Sequence, residues 1–202
     1  MNINEAPQLR RFVFLWYDIY AMEFIKTTLK DVILIKSQVF RDDRGFFMES
    51  YSKKAFEENG ISADFVQDNH SLSVQKGVLR GLHFQNLPYV QAKLARVTRG
   101  KVYDVIVDLR KGSETYGKWE GFELSAENFK MLYIPKGFAH GFITLEENTE
   151  FQYKCDEYYN RESEGGIIWN DPDLNINWNF ENPVLSEKDK LHPFFKNFNS
   201  PF

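Results

Sequence analysis

Short apolar runs separated by turn-forming residues constrain the fold of this chain more than any other feature. The runs occupy residues 32–35, 46–51, 102–109, 131–134, 141–145 and 151–155. Glycine, proline, asparagine and charged residues lie between them, and apolar runs of this length with such boundaries are typical of β-strands. Their spacing favours an all-β sandwich or barrel.

The segment 102–109 shows the clearest alternation. Its odd-numbered positions from Tyr103 to Leu109 are apolar, whereas Asp104 and Asp108 occupy two of the even-numbered positions. Successive side chains of a strand point to opposite faces, so we expect this strand to bury one face only. Aromatic residues form 16% of the chain, which also favours a β-rich fold because their side chains suit pleated, half-buried surfaces.

A few short helices are expected beside the strands. Ser52 precedes the segment 53–59, which Gly60 closes. We interpret the serine as the N-cap and the glycine as the C-terminal stop of a helix. A second short helix is expected to start at Ser186.

The length of 202 residues fits one domain with short appendages. Residues 1–21 are interpreted as an N-terminal extension of unknown role. Their apolar run, residues 12–17, resembles a weak signal peptide, but Asp18 interrupts it, no cleavage pattern follows, and it is too short to span a bilayer. We expect the folded domain to cover residues 22–190 and residues 191–202 to form a C-terminal tail, loosely held from Phe194 to Phe202.

Charge and cysteine content restrict the partners and the compartment. The formal net charge of -4 argues against a nucleic-acid surface, because nucleic-acid-binding proteins usually carry a basic face. An anionic ligand would therefore need a local cluster of Arg and Lys. The single cysteine, Cys155, has no partner in the chain for a disulfide, which favours a reducing compartment, and the cytoplasm is expected. No membrane partner is expected.

The segment 78–85 places Arg80 and His83 three residues apart among apolar neighbours. In an extended strand, His83 would share a face with residues 79 and 81, and Arg80 would lie on the opposite face. A histidine that faces a barrel interior would be a buried base. A lone strand histidine is more often a core residue with both ring nitrogens satisfied.

Asp189 has two compatible interpretations. With Ser186 three residues earlier, it matches a variant of the helix capping box. The same carboxylate, aimed at His83, would fix the tautomer of the imidazole and favour its charged form, which would make the histidine a better general base.

Three further side chains have both a structural and a chemical interpretation. Lys93 lies in an apolar pattern, where burial would require a partner such as a carbonyl oxygen that becomes an enolate. Tyr153 is either a half-buried strand aromatic or a phenol that delivers a proton. His140 is a structural loop residue, a metal ligand or a donor to a ligand.

Metal and nucleotide-phosphate chemistry receive no support from the spacing of motifs. The chain has four histidines, with no His-x-His pair and no His-x-x-x-His spacing, so we expect no metal. No glycine-rich phosphate loop is present, so neither nucleotide hydrolysis nor dinucleotide redox chemistry is expected. The carboxylates of residues 170–173 are interpreted as a turn rather than a calcium loop.

Five motifs follow one another in a specific order: Val-Gln-Asp-Asn-His at 66–70, Arg-Gly-Leu-His-Phe-Gln at 80–85, Pro-Lys-Gly-Phe-Ala-His-Gly-Phe at 135–142, Tyr153, and Leu-Ser-Glu-Lys-Asp at 185–189. Over residues 24–189 this order resembles the dTDP-4-dehydrorhamnose 3,5-epimerase family. The resemblance implies a cupin-type jelly-roll barrel that forms a homodimer. It also implies a metal-free and cofactor-free isomerase that converts dTDP-4-dehydro-6-deoxy-D-glucose to dTDP-4-dehydro-L-rhamnose, a step toward dTDP-L-rhamnose.

The resemblance also implies a role for each matching residue. His83 is the base, Asp189 its orienting partner, Lys93 the stabiliser of the enolate oxygen and Tyr153 the opposing acid. Arg80 and Arg44 hold the diphosphate or the sugar. The other positions that match ligand contacts of the family are Glu49, Gln67, Asn69, His140, Glu164 and Lys188. One departure lies beside the lysine, where residues 90–93 read Val-Gln-Ala-Lys instead of the commoner Ala-Gln-Gly-Lys.

Three alternatives remain open at the level of sequence. A relative could invert only carbon 3 or only carbon 5 of a dTDP-4-keto-6-deoxysugar in a specialised pathway, because the shape of the pocket decides which carbon is reprotonated. A non-catalytic sugar-nucleotide binding module is the second alternative. A metal-dependent cupin oxygenase or isomerase is the third.

Overall fold

The computed structural model describes residues 22–202, and the expectations for residues 1–21 lie outside this range. Its thirteen strands within the described residues are β1 (Glu23–Lys26), β2 (Ile33–Lys36), β3 (Val39–Asp42), β4 (Gly45–Met48), β5 (Gln67–Ser73), β6 (Leu79–Gln85), β7 (Lys93–Arg99), β8 (Lys101–Asp108), β9 (Trp119–Ser125), β10 (Lys130–Ile134), β11 (Phe138–Thr144), β12 (Thr149–Cys155) and β13 (Glu164–Gly166). One α-helix, α1 (Lys53–Glu58), and the 3-10 helices Arg161–Ser163 and Phe195–Asn197 complete the regular structure of the same residues.

Two antiparallel sheets form the body of the domain. The first has the strand order β1-β2-β10-β7-β12-β5, and the second has the order β13-β6-β11-β8-β9. Strands β3 and β4 form a separate hairpin. The prediction of an all-β, cupin-type jelly-roll barrel with a few short helices is confirmed.

The core between the sheets takes apolar side chains from both. Val97, Leu132 and Phe151 come from the six-stranded sheet, whereas Ile106 and Phe142 come from the five-stranded sheet. The rings of Phe142 and Phe151 stack with their centroids 4.1 Å apart and an interplanar angle of 20°. This stack joins β11 to β12 across the interior of the barrel.

The outer face of the five-stranded sheet is also buried. Val105 and Val107 of β8 pack there against Leu174 and Trp178 of the C-terminal segment. The prediction that residues 102–109 bury one face only is therefore wrong. The alternation of residues within the strand could not indicate that the C-terminal segment packs on its second face.

The C-terminal residues hold to this same face. The rings of Phe198 and Phe202 lie 5.2 and 5.8 Å from the ring of Phe84, measured between centroids. Ser200 Oγ donates a hydrogen bond to the carbonyl oxygen of Leu109, and the Lys111 amide donates to the carbonyl oxygen of Phe202. The expectation of a loosely held tail is wrong, because its aromatic side chains complete a core.

Helix α1 covers the outer face of the six-stranded sheet. Its Phe56 packs with Ile35, Leu94 and Met131 of the sheet. Ser52 caps the helix by accepting a hydrogen bond from the Ala55 amide, as predicted. No helix within residues 22–202 has the length and apolar character that crossing a bilayer requires.

The second helix, predicted to start at Ser186, does not form. Residues 187–190 make a turn instead. Pro193 explains the difference, because a proline disfavours helical backbone at the residue before it and cannot donate to a helical hydrogen bond. The segment therefore has room for a single turn, which carries Asp189.

Candidate active site

A cavity of about 560 Å³ opens at one end of the barrel, within the usual size range of small-molecule sites. Strands of both sheets and the segment 184–189 line it. Eight of the residues expected to act in the site lie in its wall: Asn69, Arg80, His83, Lys93, His140, Tyr153, Lys188 and Asp189. Residues far apart in the sequence therefore meet in one place.

Arg80 and His83 both face the cavity, which corrects the prediction that they lie on opposite faces. His83 pairs with His140, whereas Arg80, three residues earlier, pairs with a residue only two positions along β11. This bulge adds one residue to β6 and thereby changes the alternation. Gly81 allows it, because a Cβ at that position would lie 2.5 Å from the Cα of Gly141.

His83 forms a short hydrogen bond to Asp189. Its Nε2 lies 2.5 Å from Asp189 Oδ1, and Ser186 Oγ donates to Asp189 Oδ2 over 2.7 Å. Burial opposes ionisation of Asp189, but the bonds from His83 and Ser186 outweigh it and hold the pKa of the carboxyl below its ordinary value. The carboxylate therefore orients the ring and leaves Nδ1 as the nitrogen that can take up a proton.

The capping contact expected from sequence is also present. The Asp189 amide donates to Ser186 Oγ over 3.2 Å, within a turn rather than a helix. Both interpretations of Asp189 therefore hold in one structure, since the serine positions the carboxylate that bonds His83.

Lys93 begins β7 and places its ammonium in the cavity. Burial lowers its pKa. Within residues 22–202 no carboxylate forms an ion pair with it, and its Nζ lies 5.8 Å from the centroid of the Tyr153 ring. An ammonium without a carboxylate partner, held away from bulk water, is suited to stabilise a negative oxygen that develops on a ligand.

Tyr153 faces His83 from the opposite sheet. Tyr153 belongs to β12 of the six-stranded sheet, whereas His83 belongs to β6 of the five-stranded sheet. Burial raises the pKa of the phenol to about 12. The tyrosine therefore keeps its proton at neutral pH and can donate it from the side opposite the histidine.

His140 forms a second histidine–carboxylate pair. Its Nε2 lies 3.0 Å from each carboxylate oxygen of Asp104, and both side chains are buried. Burial lowers the pKa of His140 in spite of the nearby carboxylate. No sequence motif predicted this pair. The position of Asp104 could have indicated it, because a carboxylate on the same face of β8 as the core residue Ile106 needs a buried partner.

Two further expected residues lie next to the wall rather than in it. Glu164 forms an ion pair with Lys188. Gln67 donates to Asn69 Oδ1 over 3.1 Å. Each is thus bonded to a residue that lines the cavity. Glu164 balances the charge of Lys188, whereas Arg80 forms no ion pair within residues 22–202 and gives the wall positive charge.

Arg44 and Glu49 are not brought to the cavity of their own chain, since neither lies among its lining residues. Arg44 occupies the turn between β3 and β4, where its side chain is 90% exposed and pairs with Asp42. Phe46 of the same hairpin is also largely exposed. A role for Arg44 or Glu49 toward a ligand would require this hairpin to reach another cavity.

His192 also lies at the site, although no sequence motif predicted it. Its ring lies edge-on to His83, with the centroids 5.5 Å apart, and its Nε2 lies 3.8 Å from Asp189 Oδ1. Burial lowers its pKa. The one sequence feature that could have indicated it is its position three residues after Asp189. Metal-site patterns that require two histidines close in sequence, His-x-His and His-x-x-x-His, do not include it.

Comparison with known proteins gives a match of residues 26–197 to the model of the dTDP-4-dehydrorhamnose 3,5-epimerase family. The chain belongs to this family. The family covers nearly all of the domain that contains the cavity. The predicted class, an isomerase that acts as an epimerase, is confirmed.

Relatives named dTDP-4-dehydrorhamnose 3,5-epimerase share about half of their residues with this chain. The Shigella flexneri enzyme is 54% identical over 169 residues, which cover 83% of this chain and 93% of the relative. The enzyme of Methanothermobacter thermautotrophicus is 51% identical over 170 residues, covering 83% and 91%.

Solved structures of the family have the same fold. The enzyme of Elizabethkingia anophelis is 52% identical, with a TM-score of 0.83 over 87% of this chain and 97% of that chain. The Legionella pneumophila dTDP-6-deoxy-D-glucose-3,5-epimerase, in complex with dTDP-4-keto-L-rhamnose, is 46% identical, with a TM-score of 0.85 over 89% and 95%.

Proposed function

We propose that this member of the family converts dTDP-4-dehydro-6-deoxy-D-glucose to dTDP-4-dehydro-L-rhamnose, on the way to dTDP-L-rhamnose. The observation that carries the proposal is the position of a histidine–aspartate pair and a protonated tyrosine on opposite sheets of one cavity. Inversion of a carbon requires a base on one side of the sugar and an acid on the other.

The chemistry assigns one step to each residue. Protons on carbons 3 and 5 are acidic because both carbons adjoin the carbon-4 ketone. His83 removes one of them, the C–H electron pair moves into an enolate, and Lys93 stabilises the enolate oxygen. Tyr153 then donates a proton to the same carbon from the other face, and the ketone is restored. Exchange with solvent returns both residues to their starting state.

Positive groups in the wall provide for the diphosphate. Arg80 and Lys188 line the cavity; Lys188 is paired with Glu164, so Arg80 supplies the uncompensated positive charge that an acidic protein needs to bind an anion. The proposed base and acid, His83 with Asp189 and Tyr153, together with the anion site, favour an epimerase over a non-catalytic binding module. We assign no metal or cofactor to the reaction.

We further propose that the protein acts as a homodimer in the cytoplasm. The family resemblance assigns substrate contacts to Arg44 and Glu49, yet these residues lie outside the cavity of their own chain. In a two-fold dimer, the β3–β4 hairpin of one copy would supply them to the cavity of the other. A dTDP-sugar is the expected small-molecule partner.

Proton NMR of the substrate in deuterated water tests the reaction, with exchange followed at carbons 3 and 5 separately. Exchange at both carbons with formation of the L-sugar is the expected result. Exchange at one carbon alone would assign the chain to the single-site epimerases instead. Exchange at neither carbon would contradict the proposal.

A further inference from the structure

The imidazole of His192, whose side chain is 11% exposed, has a nitrogen that the proposed reaction does not use. Its Nε2 is shielded from solvent and forms no hydrogen bond within the described residues. Buried polar atoms are normally bonded, so an unbonded nitrogen beside a functional site calls for a role. Asp189 Oδ1 lies 3.8 Å away.

The neighbours of His192 complete a set of metal ligands. One donor atom from each of His83, Asp189 and His192 lies within 4.8 Å of the other two. Two imidazoles and one carboxylate are a frequent donor set for divalent transition metals, including zinc. Ser186 holds Oδ2 of Asp189, so Oδ1, which bonds His83 Nε2, is the carboxylate oxygen that would face an ion between the two.

We propose that Zn²⁺ binds to His83, Asp189 and His192, and that it inhibits the enzyme by occupying the catalytic base. The ion takes the place of the proton on His83 Nε2, and that proton moves by way of solvent to Nδ1, so the nitrogen that would accept the proton of the sugar is already protonated. Neighbouring ligand atoms around tetrahedral zinc lie about 3.3–3.6 Å apart, as bond lengths of about 2.0–2.2 Å require. The 2.5 Å contact of His83 with Asp189 therefore opens by roughly 1 Å, and the His192 nitrogen, 3.8 Å from Asp189, moves closer.

The cavity gives the ion a route of entry and a place for its fourth ligand. His83 and Asp189 line the cavity, and the side chain of His83 is 33% exposed. A water molecule can complete the coordination from this side. Metal binding does not depend on the proposed reaction, whereas inhibition does.

Direct titration separates these two parts. The full chain without an affinity tag is treated with chelator, dialysed and titrated with Zn²⁺ by calorimetry, and with Co²⁺ by visible absorption. We expect one equivalent to bind. His192→Gln removes the ring, whereas His192→Phe keeps an aromatic ring beside Gly166 and removes the donor nitrogen. Both variants should raise the zinc dissociation constant by at least about tenfold. Loss of a residue that only hydrogen-bonds to a metal ligand already weakens binding by about that factor, and loss of a ligand itself should weaken it more.

A histidine outside the cluster supplies the control. His70 pairs with Glu150 at 3.1 Å and is exposed, so His70→Gln removes another histidine–carboxylate pair and should leave zinc affinity unchanged. Equal zinc affinity of the wild type and a folded His192→Phe variant would overturn the proposal, as would the absence of binding to the wild type.

Inhibition is measured as the zinc concentration that halves the rate of each protein relative to its own metal-free rate. The His192 variants should resist zinc in proportion to their loss of affinity. Binding at the three residues in a protein that does not turn over the dTDP-sugar would refute the proposed reaction and leave the metal site intact. Turnover that zinc does not inhibit, despite binding, would overturn the inhibitory role.

Discussion

Individual side chains of the cavity are specialised by burial. Asp189 is held ionised by two hydrogen bonds, Tyr153 is held protonated, and the pKa of Lys93 is lowered. The types of these residues and their sequence motifs indicated their chemistry. His192 gave no comparable signal, because its position is set by a turn that only the folded chain forms.

Replacing His83 by alanine should stop turnover and leave the fold intact. A general base contributes about 10²- to 10⁴-fold to the rate, so kcat should fall by at least that range. The measurement is formation of the L-sugar, together with a thermal melt to establish folding. Full activity in His83→Ala would exclude this residue as the base.

Replacing Tyr153 by phenylalanine should separate exchange from inversion. His83 can still remove a proton and return a deuteron to the same face, but the opposite face has lost its acid. In deuterated water we expect exchange at carbon 3 or 5 with retention, while formation of the L-sugar falls about 10²-fold or more. An unchanged rate of L-sugar formation would assign the proton donor elsewhere.

Replacing Lys93 by methionine should lower kcat by about 10²- to 10³-fold and raise stability. The buried ammonium disfavours folding, and removing it should add on the order of 1 kcal/mol at pH 7. The folded-state pKa of Lys93 is lowered, so the unfolded chain binds more protons in the window below the ordinary lysine pKa. The free energy of unfolding of the wild type should therefore rise relative to that of the variant as pH increases through that window. Urea denaturation at several pH values measures this difference. A destabilised variant would contradict this account.

At the scale of strands, the sequence predicted which segments are extended but not which faces they use. Arg80 and His83 share the cavity because β6 carries a bulge against β11, and pairing between distant strands determines that bulge. Strand β8 is buried on both faces because residues from 167 onward return to cover it. Both features depend on contacts between segments far apart in the chain, which local alternation does not contain.

Gly81→Ala tests the bulge. The new Cβ would meet the backbone of Gly141, and the positive φ of 143° is itself unfavourable for alanine. Gly60→Ala is the matched control, since Gly60 also has a positive φ but nothing lies within 4 Å of its Cβ position. We expect Gly81→Ala to cost about 1–3 kcal/mol more than the control in chemical denaturation. Equal costs would show that close packing of β6 on β11 is not required.

At the scale of the whole molecule, two residues expected in one active site lie in different parts of the chain's structure. Arg44 lies on an exposed hairpin, whereas His83 lies inside the barrel. If the hairpin serves the second copy of a dimer, each cavity needs residues from two chains. The family resemblance predicts a site role for both residues, and it does not indicate whether they would serve the same cavity.

Mixing two inactive variants tests this arrangement. Arg44→Ala and His83→Ala should each have low activity alone. After unfolding and refolding together, a mixed dimer would have one cavity with both defects and one with neither. Random pairing predicts about a quarter of the wild-type activity, because half of the dimers are mixed and half of their cavities are intact. No recovery in a mixture shown to exchange subunits would place Arg44 in the cavity of its own chain or outside the reaction.

The stack of Phe142 on Phe151 also sets a dimension. It joins the two sheets at the cavity wall, and therefore acts as a spacer between the surface that carries His83 and the surface that carries Tyr153. The space for a sugar ring between the proposed base and the proposed acid thus depends on two hydrocarbon side chains that take no part in the proposed proton transfer. Changes in their bulk offer a route by which such a barrel acquires a preference for thinner or thicker sugars while its reacting groups stay the same.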